Sequence, residues 1–186
     1  ILYVLLFVLY PLFMTYGYKN TVMTKCISFA LITGVAFFVT AWMDYEKYVT
    51  ENGGLGNFSI KKSIKDLSVT DKFGAAFILA ALLSFAFAKY RAVAFTGSSD
   101  SYLGLFAVIV MAMIYRTAKK HFSLDEIFVL TASVGGAAAA LFAIIQFMGV
   151  DLFGMFSAIE KTTDRIYNFL STLGNTSVFG QYMILI

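Results

Sequence analysis

Long uncharged apolar runs constrain this chain more than any other feature of its sequence. Residues 73–88, 103–115 and 127–150 contain no charged side chain, and residues 23–42 contain a single one, Lys25. Runs of about 20 apolar residues match the thickness of the hydrocarbon core of a bilayer. Only helices and closed barrels satisfy their backbone hydrogen bonds in that core, and the runs lack the alternation of strands. The sequence therefore predicts an all-α, polytopic transmembrane helical bundle.

The composition supports the same class. Apolar residues make up 60% of the chain and charged residues 13%, whereas soluble domains have about 45–50% and about 25%. The single cysteine, Cys26, lies inside an apolar run, so no disulfide framework is possible. A net charge of +3 gives no reason to expect a nucleic acid partner. The lipid bilayer is the partner that the composition predicts.

We predict about five complete spans and a truncated sixth, with the single transmembrane domain covering residues 1–186. The chain begins inside an apolar run without Met and stops a few residues into the sixth run, so we expect a larger protein cut at both ends. Ser68 with Asp71 and Ser123 with Glu126 have capping-box spacing. The same spacing at Ser157 predicts a short interfacial helix over about 158–170. The predicted spans are about 1–17, 22–42, 72–89, 101–118, 126–148 and 178–186.

Basic residues divide unevenly between the predicted loops. The even-numbered loops hold eight and the odd-numbered loops six. The positive-inside rule then places the even loops in the cytoplasm. It places the polar stretch 165–182, which leads into the sixth run, on the outer side of the membrane.

The chain has few residues that could bind a metal. His121 is the only histidine and Cys26 the only cysteine, and neither has a pair of carboxylates at ligand spacing. Phosphate-binding loops and the HExxH and GxSxG motifs are also missing from the sequence. We therefore predict no metal and no cofactor.

Two polar segments remain as places for chemistry, residues 97–104 and residues 165–182. The structural alternative for the first is a tight turn rich in serine and glycine. For the second, the alternative is an arginine that anchors an interfacial helix to headgroups, followed by a turn and a helix cap. Taken alone, each segment is compatible with a purely structural role.

Together, the two segments resemble the O-antigen ligase and polymerase-like family of membrane glycosyltransferases. Residues 94–97 (AFTG), followed by Gly104 and Leu105, resemble the family segment a-f-f-G-x-x-x-R-x-x-G-L. Arg165, then residues 171–176 (STLGNT) and Tyr182, resemble R…S-T-L-G-N-P-N-x-x-A-x-Y-L. The two motifs stand in the family's order, and the resemblance covers about residues 70–186.

The chain departs from the family pattern at several positions. Ser101 stands where the first motif has an arginine, so that contribution is missing or comes from Lys89 or Arg91. Thr176 and Ser177 replace the usual Pro-Asn pair. An insertion separates Arg165 from the second motif. These departures affect the expected substrate contacts more than the expected fold.

The resemblance implies transfer or polymerisation of a glycan from an undecaprenyl-diphosphate donor at the cytoplasmic membrane of a bacterium. The acceptor in the family is a glycan, a lipid core sugar or a protein. Arg165 would bind the diphosphate, because a guanidinium forks onto phosphate oxygens and stays charged. The family's catalytic histidine lies in a later external loop, so we expect this segment alone to be inactive. The other implied substrate-binding residues are Thr172, Gly174, Asn175, Gly97, Ser101 and Gly104.

Two alternatives remain open. One is a multi-span transporter or flippase, and the other is a structural membrane subunit. Transporters place polar or ionisable residues at mid-membrane. The predicted span interiors carry almost none beyond Gln146, which favours chemistry at the membrane surface.

Overall fold

The computed structural model describes residues 4–14, 21–52, 68–98, 102–155 and 170–185. Within these ranges every regular element is helical. A π-helical turn, Val4–Leu9, leads into α1 (Tyr10–Leu12). The remaining elements are α2 (Thr21–Asn52), α3 (Val69–Ala86), α4 (Arg91–Thr96), α5 (Leu105–His121), α6 (Glu126–Phe147), a 3-10 turn (Ser171–Leu173) and α7 (Thr176–Leu185). The all-α prediction is confirmed.

Three of the described helices are long and apolar enough to cross a membrane. They are Thr21–Glu51 within α2, Val69–Ala86 and Glu126–Phe147, with mean hydropathies of 2.0, 1.6 and 2.2. The prediction of a membrane protein is therefore supported. The predicted total of five complete spans and a truncated sixth is not.

Among the described residues, the helices at the first, fourth and sixth predicted spans are not long enough to count as membrane crossings. The helical segment that begins at Val4 ends at Leu12, directly after Pro11, and Phe13 is extended with ψ 126°. Proline has no N–H to donate and its ring clashes with the preceding turn, which accounts for the irregular, π-helical segment before Pro11. The helix α5 begins only after Gly104, and its 17 residues end in three basic side chains. The helix α7 has ten described residues.

The chain divides into two compact units, residues 1–32 with 123–186, and residues 33–122. In the first unit the π-helical turn, α1 and the 3-10 turn pack against α6. The buried positions of α6 in this core are mostly small, which lets the backbones approach closely. In the second unit α3, α4 and α5 pack against one another.

Of the three predicted capping boxes, the one at Ser68 is confirmed and the one at Ser157 lies outside the described residues. The Ser68 hydroxyl accepts from the Asp71 N–H at 3.3 Å, and the Asp71 carboxylate accepts from the Ser68 N–H at 3.1 Å. The second prediction was wrong about the residue, because Asp125 is the N-cap of α6 and accepts from the Phe128 N–H at 2.9 Å. An aspartate adjacent to the first turn is as good a cap as serine. The predicted interfacial helix over 158–170 lies outside the described residues, except for its last position.

Candidate functional site

The helical segment at the start of the chain ends in a cluster of backbone carbonyls. The last carbonyls of any helix have no donor within the helix. In an apolar environment each of them needs a partner from elsewhere. Here the carbonyls of Tyr10, Pro11 and Phe13 lie at or just beyond the end of α1.

Lys25, in the second turn of α2, satisfies all three of these carbonyls. Its Nζ atom lies 2.9 Å from the Tyr10 oxygen, 2.7 Å from the Pro11 oxygen and 2.7 Å from the Phe13 oxygen. The side chain is buried, at 8% exposure. An ammonium group has three donors, so these three bonds use its full capacity. Lys25 therefore holds the helix end in place, and its donors are committed to the backbone.

The turn that resembles the second family motif is tied to the same place. The Thr172 hydroxyl donates to the Pro11 carbonyl at 2.6 Å, although the two residues are 161 positions apart in the chain. A carbonyl oxygen has two lone pairs, and Lys25 and Thr172 occupy both. The Ser171 hydroxyl donates to the Ala139 carbonyl of α6 at 2.8 Å. Both hydroxyl side chains are buried, so the turn has a defined position in its unit.

The next two residues of the motif end this turn and begin α7. Gly174 has φ 69°, in the left-handed region that glycine adopts without strain. The Asn175 side-chain oxygen accepts from the backbone N–H groups of Ser177, at 2.8 Å, and Val178, at 3.3 Å. Asn175 is thus an N-cap residue and is exposed. Because its oxygen makes the cap, its amide N–H2 group is the part that can serve a ligand.

A third contact joins α7 to the start of the chain. The Tyr182 hydroxyl donates to the Phe7 carbonyl at 2.9 Å. Gly135 of α6 packs against the same place, because a Cβ atom there would overlap the Phe7 carbonyl and lie 3.0 Å from the Tyr182 oxygen. We call the set formed by Phe7, Pro11, Lys25, Thr172 and Tyr182 the Pro11 junction.

The two glycines of the first family motif lie in the other unit and close a turn between α4 and α5. Gly97 has φ 87° and ψ −179°, a conformation that is essentially restricted to glycine. A Cβ atom on Gly97 would lie 2.8 Å from the Gly104 nitrogen, and one on Gly104 would lie 2.5 Å from the Gly97 nitrogen. The two backbones touch, and the Tyr102 N–H donates to the Ser98 carbonyl at 2.9 Å within the turn.

The structure thus brings the predicted site residues together in two separate groups. Thr172, Gly174 and Asn175 share one turn, and Gly97 and Gly104 share another. Arg165 and Ser101 lie outside the described residues. That residues 165–182 lie on the outer side of the membrane stays a prediction.

Sequence reasoning missed the part played by Lys25 and Pro11. Lys25 is the single charge of the apolar run 23–42 and Pro11 lies within the first predicted span, and both belong to the Pro11 junction. One signal was available, because a lone ionisable residue inside an apolar run is by default a candidate for a specific role. The partners of Lys25 were not readable, since they are backbone atoms of an irregular segment.

A second polar cluster lies in the unit of residues 33–122, where the basic end of α5 meets two carboxylates. Asp44 lies 2.7 Å from Lys120 Nζ, 3.4 Å from His121 Nε2 and 3.7 Å from Arg116 Nη2. Asp71 accepts from Lys119 Nζ at 2.5 Å and from the Tyr115 hydroxyl at 3.1 Å. The hydrogen bond to Asp71 raises the pKa of Lys119 above its ordinary value. We call Arg116, Lys119, Lys120, Asp44 and Asp71 the basic cluster.

In the part of the chain that the structure describes, no three His, Cys, Asp or Glu side chains gather into a metal site. No protein-family model, curated protein or solved structure matches the chain. A functional assignment therefore depends on the two short motifs and on the geometry around them.

Proposed function

We propose that the chain is part of a membrane glycosyltransferase of the O-antigen ligase-like kind, which transfers or polymerises glycan from an undecaprenyl-diphosphate-linked donor. The partners would be the lipid bilayer, that donor, and a glycan, lipid or protein acceptor. The protein would be a multi-pass protein of the bacterial cytoplasmic membrane, with α2, α3 and α6 as crossings.

The single observation that carries the proposal is the way the turn of residues 171–175 is held. Two buried hydroxyls tie it to Pro11 and Ala139, and Asn175 then begins α7. Groups that stabilise developing charge act best when they are fixed before the reaction. The two buried hydroxyl bonds fix the position of the turn independently of any substrate. The turn is therefore suited to hold polar groups in fixed positions beside a substrate.

Arg165 is the residue to which we assign the diphosphate. It stands six residues before Ser171 in the sequence. A fixed cation there would stabilise the charge that develops on the departing diphosphate. Gly97 and Gly104 would shape the loop that carries Ser101, and Ser101 would contribute a hydroxyl where relatives of this kind have an arginine.

The transporter alternative needs an ionisable residue that can exchange partners within the membrane. Lys25 is the candidate in the described part of α2, and its three donors are bound to backbone carbonyls. A group fixed in this way is suited to holding a helix end and unsuited to carrying an ion. The geometry around Lys25 therefore favours the transferase over transport.

The direct test uses the full-length protein in proteoliposomes with an undecaprenyl-diphosphate-linked glycan as donor. We expect Arg165→Ala to lower the transfer rate by about 100-fold or more, the usual effect of removing a group that stabilises transition-state charge. Arg165→Lys should recover part of the rate, because it keeps the charge and loses the fork. Lys161→Ala, which removes the positive charge four positions earlier in the sequence, should leave the rate unchanged. Transfer at the original rate by a correctly inserted Arg165→Ala variant would refute the assignment.

A second test separates the two roles open to Asn175. Asn175→Asp keeps an oxygen that can cap α7 but removes the amide donors. We expect normal insertion and stability with a transfer rate lowered by about tenfold, as for one lost hydrogen bond to a charged group. Asn175→Ala should lower both stability and rate. A fully active Asn175→Asp variant would limit Asn175 to capping.

A further inference from the structure

A cleft of about 600 Å³ runs between α3 and α5, and all of its lining residues belong to the unit of residues 33–122. Its wall is apolar over most of its length. Phe77 and Ile78 of α3 face Val108 and Met111 of α5 across it. The size is within the range of sites that take a small ligand, about 300–1,000 Å³.

The two ends of the cleft differ in chemistry. Asp71 lies in the first turn of α3, and Arg116, Lys119 and Lys120 lie in the last two turns of α5. These residues all line the cleft, so its polar groups are gathered at one end. From Asp71 to Ile78 the wall extends about 10 Å along the axis of α3. The cleft therefore offers an apolar channel beneath a charged mouth.

The charges at the mouth do not cancel. Arg116, Lys119 and Lys120 contribute three positive charges, and their carboxylate partners Asp44 and Asp71 contribute two negative ones, which leaves one positive charge in excess among these five side chains. A phosphodiester carries one negative charge. Arg116 Nη2 is 3.7 Å from Asp44, longer than a hydrogen bond, and its side chain is 54% exposed. The guanidinium lies 5.3 Å from the centroid of the Phe37 ring, a contact that leaves its N–H edges able to donate to a phosphate.

We propose that this cleft binds an anionic phospholipid, with one acyl chain between α3 and α5 and its phosphodiester at Arg116 and Lys120. A purely apolar occupant would leave the excess charge unmatched, and a soluble phosphate would leave the apolar wall unused. The lipid matches both parts of the cleft at once. This assignment is independent of the glycosyl transfer proposed above.

The first test needs no variant. The full chain is reconstituted in nanodiscs of equal parts phosphatidylglycerol and phosphatidylcholine, and the lipids that remain bound after gentle release are identified by native mass spectrometry. We expect phosphatidylglycerol to be retained over phosphatidylcholine by about tenfold, as for one charge-assisted contact. Excess glycerol 3-phosphate should not displace it. Equal retention of the two lipids, or displacement by the soluble phosphate, would overturn the proposal.

Matched variants then test the two parts of the cleft. Ala75→Trp fills the channel, whereas Ala76→Trp adds the same ring at the next position, which does not line the cleft. Only the first should reduce bound phosphatidylglycerol. Arg116→Gln with Lys120→Gln should abolish the preference between the two lipids. Lys89→Gln, which removes one charge beyond the other end of α3, should not. An equal loss of bound phosphatidylglycerol in the test and control variants, with normal helical content in both, would count against the site. If a variant fails to fold, the comparison of the two lipids on the wild-type chain decides.

Discussion

The hydroxyl of Tyr182 donates a hydrogen bond to the carbonyl of Phe7 at 2.9 Å, across 175 residues of chain. Phe7 is four residues before Pro11, and proline has no N–H to donate to the carbonyl four positions earlier. The tyrosine therefore supplies a donor at the place where the helix cannot. This contact attaches α7 to the first helical segment and explains why an irregular helix is tolerated there.

We expect Tyr182→Phe to lower the free energy of unfolding by about 1 kcal/mol, because the ring remains and the donor is lost. The measurement is thermal or denaturant unfolding of the full chain in detergent. Tyr90→Phe is the control, since Tyr90 is 70% exposed. Equal stabilities of the two variants would show that the Tyr182 hydrogen bond contributes nothing.

Lys25→Met should be among the most damaging single changes in the first unit. It leaves the carbonyls of Tyr10 and Phe13 without this donor and that of Pro11 with Thr172 alone, and each buried unsatisfied group costs about 1–3 kcal/mol. We expect a loss of at least about 2 kcal/mol in unfolding free energy, or failure to accumulate in the membrane. Lys47→Met, at an exposed position of the same helix, should be close to neutral.

Lys25 and Thr172 should not act independently, because they donate to the same Pro11 oxygen. Thr172→Val removes the hydroxyl, and Thr172→Ser keeps it as a control. In a double-mutant cycle with Lys25→Met we expect a coupling energy of about 0.5–3 kcal/mol between the two positions. Additive effects within error would show that the shared carbonyl does not couple them.

Gly135→Ala should destabilise the first unit, whereas Gly34→Ala should not. A Cβ atom on Gly135 would overlap the Phe7 carbonyl, a backbone group that cannot move aside cheaply. A Cβ atom on Gly34 meets nothing within 4 Å. We expect a loss of about 1–3 kcal/mol at Gly135 and a neutral or slightly stabilising effect at Gly34. Circular dichroism during heating gives both values, and a stable Gly135→Ala variant would contradict the close approach.

Gly97→Ala should cost more than Gly149→Ala, although both glycines have positive φ. Gly149, with φ 82°, faces open space, so alanine there meets only the conformational penalty of about 1–2 kcal/mol. At Gly97 the added Cβ also overlaps the backbone of residues 102–104. Unfolding free energies of the two variants provide the comparison. Equal losses of unfolding free energy in the two variants would mean that the turn between α4 and α5 adjusts to accommodate the added Cβ atom.

Much of the local structure was predictable because its causes are local. The uncharged runs around Phe77 and Ala139 produce helices α3 and α6, since a chain in lipid must satisfy its backbone within each segment. Ser68 and Asp71 form the predicted capping box within four residues of chain. The N-cap of α6 is Asp125 and not the predicted Ser123. Both residue types can cap a helix, so the sequence spacing does not determine which of them is used.

The predicted number of crossings exceeds the three helices that qualify among the described residues for a similar reason. Hydropathy registers the apolar residues on both sides of Pro11 as one run, but the backbone ends its helix at Leu12. The predicted site shows the same limit. Residues 171–175 were recognisable as a polar turn. The sequence did not determine whether the hydroxyl groups of Ser171 and Thr172 donate to solvent, to a substrate or to the protein.

Apolar patterning and local capping thus establish a helical membrane protein and the positions of its main helices. Folding in three dimensions settles which donor meets which carbonyl, as at Pro11, where Lys25 and Thr172 arrive from opposite ends of the chain. The physical reason is that helices form from contacts within a few residues, whereas an irregular helix end in an apolar medium takes its partners from any distance along the chain.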